Sequence, residues 1–301
     1  MNIERAKLVP LTTILNRMGA EPVRERTDDI WYKSPIRQEN TASFHIKPSK
    51  NIWYDHGIGA GGDTITLVCA YLKHSRESNT IVDALRWIRN MTTELPLSPQ
   101  KYSQKIEENL GWRLRDVKPI QSVGLIRYLE KRKIPVDLAT QYLKEVTVTH
   151  STTGSKIFAL GFMNEDEGYE LRNPFLKSSV APKAITFVRG ETVRPTSLHV
   201  FEGIFDFLSA SVRFPDLIKL HDSIILNSLS LLERSHAYIR GYGYTTLHSW
   251  FDNDEADRRA FLVLQQYCTT EQNLTIRPMN KLYEKHKDIN AWHMHNLNLK
   301  L

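Results

Sequence analysis

The stretch FEGIFDFLSA, Phe201–Ala210, read together with FDNDEADRRA, Phe251–Ala260, decides the fold. Each opens at the end of a short apolar run: LHVF (Leu198–Phe201) delivers Glu202 and Gly203, and LHSWF (Leu247–Phe251) delivers Asp252, Asn253 and Asp254. Behind each run the periodicity turns helical, over Phe205–Val212 and Ala256–Tyr267. Between and beyond them the sequence predicts a strand at Ser223–Leu226, a helix at Leu231–Ile239, a strand at Leu274–Pro278 and a helical tail after Asp288. Such alternation implies a parallel sheet flanked by helices, and ligands of such sheets sit at the carboxyl ends of the strands. Glu202, Asp206 (about one helical turn on), Asp252 and Asp254 would therefore share one sheet edge. Carboxylates so gathered repel unless a cation lies among them, and Mg²⁺ with its hard oxygen ligands suits that place. Acids following strands also cap helices, so each alone has a structural reading; two groups in one α/β unit favour metal.

Upstream, strand-like pieces fall at Val146–Thr149, Lys156–Leu160, Tyr169–Arg172 and Ala184–Val188. A helical stretch, Val123–Lys133, precedes them with the basic run Lys131–Lys133, and another short helix starts after Pro135. Met91–Asp116 loses periodicity around ELPLSPQK and reads as a linker. The first segment opens with a helix over Pro10–Met18. Short strands follow at Ile30–Tyr32, Ser43–Ile46 and Asn51–Tyr54, then the turn GIGAGGD (Gly57–Asp63) and helices Thr64–Leu72 and Thr80–Asn90. The glycine turn lacks the Lys-Ser/Thr of a phosphate loop, and Asp63 reads as the cap of the next helix. The expected organisation is a small domain at 1–92, a linker at 93–120, a basic subdomain at 121–195 and an α/β domain at 196–301. The fold class is mixed, α+β followed by α/β.

Composition bounds the rest. The 301 residues carry a net charge of +6, and 41% are hydrophobic. Met1–Pro195 holds 29 Lys+Arg against 22 Asp+Glu, whereas Thr196–Leu301 holds 11 against 12, so the basic excess lies ahead of the acidic motifs. No run approaches the roughly 18 apolar residues of a membrane span. MNIERAKLVP has no signal-peptide core, so a cytoplasmic location is expected. Cys69 and Cys268 are the only cysteines, which excludes a disulfide scaffold and any zinc site needing three or four thiolates.

Glu-Gly after one strand and Asp-x-Asp after a later one resemble the Toprim domain of DnaG-type primases, topoisomerases and certain nucleases. Asn227-Ser228 falls at that family's small-residue turn, and KHKDIN (Lys285–Asn290) resembles its closing segment, with Asp288 a secondary candidate near the acids. The primase pattern has Ala-Gly after Asp-x-Asp; here Ala256 is followed by Asp257. The resemblance implies metal binding, Mg²⁺ or Mn²⁺, by Glu202, Asp252, Asp254 and Asp206, with Glu202 as an alternative general acid/base. The order Lys156, Arg172, Lys183 ahead of Glu202 resembles the basic subdomain of DnaG-type primases. That implies Lys156, Arg172 and Lys183 facing the catalytic cleft, with Lys156 also on the nucleic-acid path.

Lys33–Val68 resembles the zinc-binding domain that opens those primases, keeping Pro35, Thr41, Ser43, Phe44, Trp53, Gly57, Gly59, Gly61, Gly62 and Asp63. Its four ligand positions hold Ser34, Arg37, Asp55 and Ile58, so no zinc is expected. The expectation is a ribbon-like fold held by its own core, with Trp31, Phe44 and Trp53 as packing residues. Nucleic-acid contacts would come from Lys33, Arg37, Lys47 and Lys50, with stacking by Trp53 or Tyr54.

The ensemble resembles primase-related proteins of mobile elements in Bacteroides-type bacteria, DnaG-like but without the helicase-binding C-terminus. The implied reaction is template-directed synthesis of short RNA primers on single-stranded DNA. Implied partners are the template, ribonucleotides and a replicative helicase or relaxase, with no membrane. Two other readings stand beside it: a metal-dependent Toprim nuclease, and a non-catalytic single-strand-binding accessory.

Overall fold

The computed structural model describes residues 3–92, 111–271 and 273–298. They belong to two compact units: residues 3–92 together with Glu233–Gly243, and residues 111–232 together with 244–271 and 273–298. Among the described residues no helix is long and apolar enough to cross a membrane.

The first unit runs α1 (Ile3–Lys7), α2 (Leu11–Arg17), β1 (Pro22–Arg26), β2 (Asp29–Tyr32), β3 (Phe44–Lys47), β4 (Ile52–Asp55), β5 (Ala60–Gly62), α3 (Thr64–His74) and α4 (Ile81–Thr92). The five strands form one antiparallel sheet in chain order. Strand alternation buries Phe44 and Ile46 of β3 and Trp53 and Asp55 of β4, leaving His45 and Tyr54 on the other face. Phe44 and Trp53 stack at 5.4 Å. Asn51, at φ 51° in the β3–β4 turn, accepts from Leu11 N (2.8 Å) and donates to Lys7 O and Val9 O, tying the sheet to the start of α2. Asp63 caps α3 by accepting from Thr66 N at 3.0 Å. The unit is completed from far along the chain. Asn90 of α4 donates to Tyr238 O at 2.7 Å, and Glu77 pairs with Arg240.

The second unit holds two sheets. The first is an antiparallel meander, β6 (Trp112–Lys118), β7 (Leu143–His150), β8 (Lys156–Met163), β9 (Tyr169–Asn173) and β10 (Leu176–Val180), with α5 (Val123–Lys131) and α6 (Val136–Tyr142) between β6 and β7. The second has the order β11-β13-β12-β14-β15. Its strands are β11 (Thr186–Val188), β12 (Ser197–Phe201), β13 (Asp222–Ile225), β14 (Thr246–Trp250) and β15 (Thr275–Pro278), parallel except for β11. Its helices are α7 (Ile204–Arg213), α8 (Pro215–Leu220), α10 (Glu255–Cys268) and α11 (Ile289–Asn298); α9 (Leu232–Ile239) lies almost wholly in the first unit. A common core of Leu129, Leu143, Phe162, Phe201, Phe207 and Trp250 joins the helices to the strands. The mixed α/β architecture and the helix-flanked parallel sheet agree with the sequence reading.

Three boundaries differ from that reading. Of the expected linker 93–120, residues 93–110 lie outside the described residues, but Trp112–Lys118 is a strand bonded along β7. It is an edge strand with a bulge between Leu114 and Asp116 and mostly exposed side chains, so it lacks the alternation that marks half-buried strands. The 195/196 boundary shifts because β11 pairs with β13 and so belongs to the second sheet. The first unit, finally, includes 233–243 and is not the continuous 1–92.

Inside the parallel sheet a buried histidine carries a pH signature. Trp250 Nε1 donates to His199 Nδ1 at 3.0 Å, which puts the ring proton on Nε2, 3.3 Å from His221 Nδ1. Burial, with His248 stacked at 4.7 Å, pushes His199 down to about 2. An unfolded histidine titrates near 6.5, so the unfolded chain takes up this proton first. The neutral ring's contribution is whole above pH 6.5 and declines as pH falls from there toward 2. Urea unfolding of the native protein and of His199→Gln, compared at pH 7 and 5, is expected to show the stability difference shrinking by about 1 kcal/mol per pH unit. Comparing two proteins cancels the carboxylates, which both retain. Parallel pH profiles would remove the histidine from the argument.

Candidate active site

Chain direction places the acids. β12 and β14 run parallel and adjacent, so the residues just past their ends, Glu202 and Asp252, emerge at the same sheet edge. Asn227 follows β13 at that edge with φ 64°, its N–H donating to Glu202 O at 2.9 Å and its side chain to Ala184 O at 2.9 Å. Around Asp252 the carboxylates form two overlapping triads, Glu202–Asp252–Asp257 and Asp206–Asp252–Asp288. In each, one oxygen per residue lies within 4.8 Å of the others.

Titration follows from crowding. Burial, then the charges of Glu202 and Asp288, push Asp252 up to about 7, although Lys287 Nζ sits 3.8 Å away. Burial, then Glu202 and Asp252, push Asp257 up to about 8. Asp206 is raised by burial and by Asp252, Asp288 and Glu202. A set of hard oxygen donors that resists ionising together, at this spacing, fits a divalent cation of the Mg²⁺ type.

Asp254 stands apart from both triads. It is the cap of α10, accepting from Asp257 N at 3.1 Å, and that backbone donor holds it below the usual carboxylate range. Asp257, whose Oδ1 also accepts from Asp252 N, takes the position beside Glu202 and Asp252. The signal was in the sequence: Asp254-Glu-Ala-Asp257 has the spacing of a capping box. Asp254→Ala is expected to cost about 1 kcal/mol of stability while Mn²⁺ binding by titration calorimetry stays unchanged. Asp257→Asn should weaken that binding roughly tenfold. The reverse pattern would return the metal role to Asp254.

Cations face the acids. A cleft of about 610 Å³ is lined by Glu202, Asp206, Asp252 and Asp288 and by Lys131, Arg132, Arg172, Lys177 and Lys287. An adjoining space of about 400 Å³ brings Lys183 and Arg172 beside Glu202 and Asn227. Arg172 and Lys183 both line that space, the Lys183 ammonium without a hydrogen-bonded partner among the described residues and Arg172 mostly buried, donating to Leu171 O at 2.9 Å and pairing with Glu170 at 3.5 Å. Lys156 lines neither space and sits 5.8 Å over the Phe158 ring. Sequence reasoning missed Arg132, which donates to Asn290 Oδ1 at 2.8 Å and packs over Tyr128 and Phe205, and it missed Lys177. Asn290 of KHKDIN also donates to Ser209 Oγ, so the segment fixes Arg132 as well as supplying Asp288.

The first unit departs further from expectation. Trp53 is only 4% exposed, stacked on Phe44, and donates to Asp63 O at 3.0 Å, so it is a packing residue and offers no stacking surface. Trp31 is the reverse: it lies on the other face, 4.7 Å from His45 and stacked on His56, with Arg24 over its ring. Tyr54 shares that face. Lys33, Lys47 and Lys50 are exposed. Arg37 is turned inward and committed. Its guanidinium bonds Asp55 at 3.0 Å, Glu39 at 2.7 Å and Ser43 at 2.5 Å. Ser34 Oγ donates to Asp55 at 2.6 Å, and Gly57 N does so at 2.8 Å. Three of the four positions read as lost zinc ligands therefore meet in one network around the fully buried Asp55. Its carboxylate is kept low against burial by Arg37 and Ser34. The fourth, Ile58, is exposed and outside it.

Comparison with known proteins adds the following. Residues 199–293 match the family model described as Toprim-like, and residues 114–181 match one described as a domain of unknown function (DUF8464). A DNA primase of Treponema pallidum (strain Nichols) is 44% identical over 43 residues, 14% of this chain and 7% of that protein. Among solved structures, the primase fragment of the bacteriophage T7 primase-helicase aligns at 13% identity and TM-score 0.40, over 87% of this chain and 94% of its own. The Aquifex aeolicus primase, zinc-binding and RNA polymerase domains, aligns at 15% identity and TM-score 0.29, over 91% of this chain and 77% of its own.

Proposed function

Starting from a DnaG-type primase-like protein with a Toprim-like domain in its carboxyl half, we propose that it joins ribonucleotides into short primers on single-stranded DNA. The observation that carries the reading is the facing of two charge sets across one cleft: carboxylates at the ends of β12 and β14, cations from β9, β10 and α5. Nucleotidyl transfer needs both, because a triphosphate and a template strand bring many negative charges to one place.

Glu202, Asp252 and Asp257, with Asp206 and Asp288 behind Asp252, are the residues that would hold Mg²⁺ or Mn²⁺. Such an ion, when bound, polarises the phosphate under attack and lowers the pKa of the attacking 3′-hydroxyl. Arg172 and Lys183 neutralise phosphate oxygens, and Lys177 extends the same track. Arg132, held by Asn290, orients what enters from the α5 side. Lys287, 3.8 Å from Asp252, is placed to release that carboxylate to a stronger cation. The exposed face bearing Trp31, Tyr54 and His56, with Lys33, Lys47 and Lys50 in the same unit, suits contact with the template. A replicative helicase or relaxase, in the setting of a mobile element, completes the proposal.

The test is extension of labelled ribonucleotides on single-stranded DNA by pure protein with Mg²⁺ or Mn²⁺. Short RNA products that need both template and metal support the reading. No product with either metal, or plasmid nicking without nucleotides, overturns it, the second outcome in favour of a nuclease.

A further inference from the structure

The tip of the β9–β10 hairpin carries a side chain that the fold does not use. Phe175 is 96% exposed, at the lip of the cleft that holds Asp206 and Asp252. The turn does not require it. Asn173 pairs with Leu176 across a two-residue connection of Pro174 and Phe175. Phe175 N donates to Asn173 Oδ1 at 2.8 Å, and Asn173 Nδ2 donates to Phe158 O at 2.8 Å, so a polar side chain fixes the loop through backbone atoms. Neither residue of the connection has positive φ, and any side chain would serve there. A phenyl ring left in water gains nothing for folding, so the ring's use lies outside the fold.

Its neighbours say what it meets. Arg172, before the turn, and Lys177, after it, line the same cleft, and each stands within three residues of the ring. An aromatic face on a rigid support between two cations is the arrangement that accepts an unpaired base on the ring while the cations track the phosphates. We propose that Phe175 is a stacking platform for a base of single-stranded nucleic acid lying across the cleft, with Arg172 and Lys177 on its backbone. This rests on the nucleic-acid reading of the cleft and adds to it a residue that holds the strand without touching the reacting atoms.

The experiment measures binding of a fluorescent thymidine oligomer, and of an abasic oligomer of equal length, to the native protein, Phe175→Ala and Phe175→Trp. The native protein is expected to prefer the thymidine oligomer. Phe175→Ala should lose about tenfold of that affinity and none for the abasic one, and Phe175→Trp should restore it. The residue is exposed, so folding is not at stake, and matching circular dichroism spectra verify this. If native protein and Phe175→Ala bind the thymidine oligomer equally, the platform is wrong and the cleft's function stands. If Phe175→Ala weakens only the binding of free ATP, the strand assignment is overturned. If the native protein binds neither oligomer, this inference and the proposed function fall together.

Discussion

Asp252→Asn is expected to lower Mn²⁺ affinity at least a hundredfold and to abolish metal-dependent nucleotidyl transfer. Asp252 is the one carboxylate common to both triads, so its loss breaks each at once, whereas Asp257→Asn or Asp288→Asn leaves one intact. Asparagine keeps the shape and one oxygen but not the charge, and a divalent site tolerates that poorly. The metal-free protein should move the other way. Asp252 is raised to about 7 by burial and by Glu202 and Asp288, so at neutral pH its ionised form strains the folded state. Asparagine removes that repulsion, and unfolding without metal is expected to need more denaturant, by about 1 kcal/mol. Titration calorimetry with Mn²⁺ and urea unfolding in chelator check the two halves. A variant that binds Mn²⁺ as the native protein does would dissolve the two-triad description.

The second large effect is Asp55→Ala, expected to cost about 3 kcal/mol. Asp55 is fully buried and accepts from Ser34, Arg37 and Gly57 at once. Removing it leaves an inward-turned guanidinium and two donors without their acceptor, and breaking a buried pair costs far more than the pair contributes over an apolar substitute. Arg37→Ala is expected to destabilise in the same direction, and the double variant should cost less than the sum because the two share one interaction. Urea unfolding in chelator, which keeps any ion out of the acid cluster, measures all three. A loss under about 0.5 kcal/mol for Asp55→Ala would mean that the sheet is held by Phe44, Ile46 and Trp53 alone.

These two sites also mark what the sequence made legible. The strand–helix alternation after Leu198 identified the parallel sheet, and chain direction then dictated that Glu202 and Asp252 share an edge. Assigning the third acid was harder, because Asp254 and Asp257 lie within one turn and only the cap geometry separates them. In the first unit the parity of β3 and β4 was legible, with Phe44 and Trp53 read as packing residues, but that of β2 was not. Both faces carry aromatics, and a one-residue shift exchanges them, so Trp31 was given the buried place that its neighbour Tyr32 occupies. β1, β6 and β10 escaped detection because edge strands bury little and show no alternation. Arg37 could not be placed by pattern, since a lone arginine among polar residues reads as surface; its inward turn depends on Asp55, 18 residues away.

The first unit's dependence on Glu233–Gly243 has a consequence for synthesis. The 132 residues 101–232 must be made before that segment exists. At ribosomal speed this is a delay on the order of ten seconds. During it Asn90 has no Tyr238 carbonyl to bond and Glu77 no Arg240 to pair with, while Trp87 of the same helix already needs burial. The nascent N-terminal region therefore waits, half-built and with polar and apolar groups uncovered, for a piece encoded inside the α/β region. This gives holdase chaperones a defined window, and it means that the N-terminal region cannot be transplanted intact as a contiguous cassette.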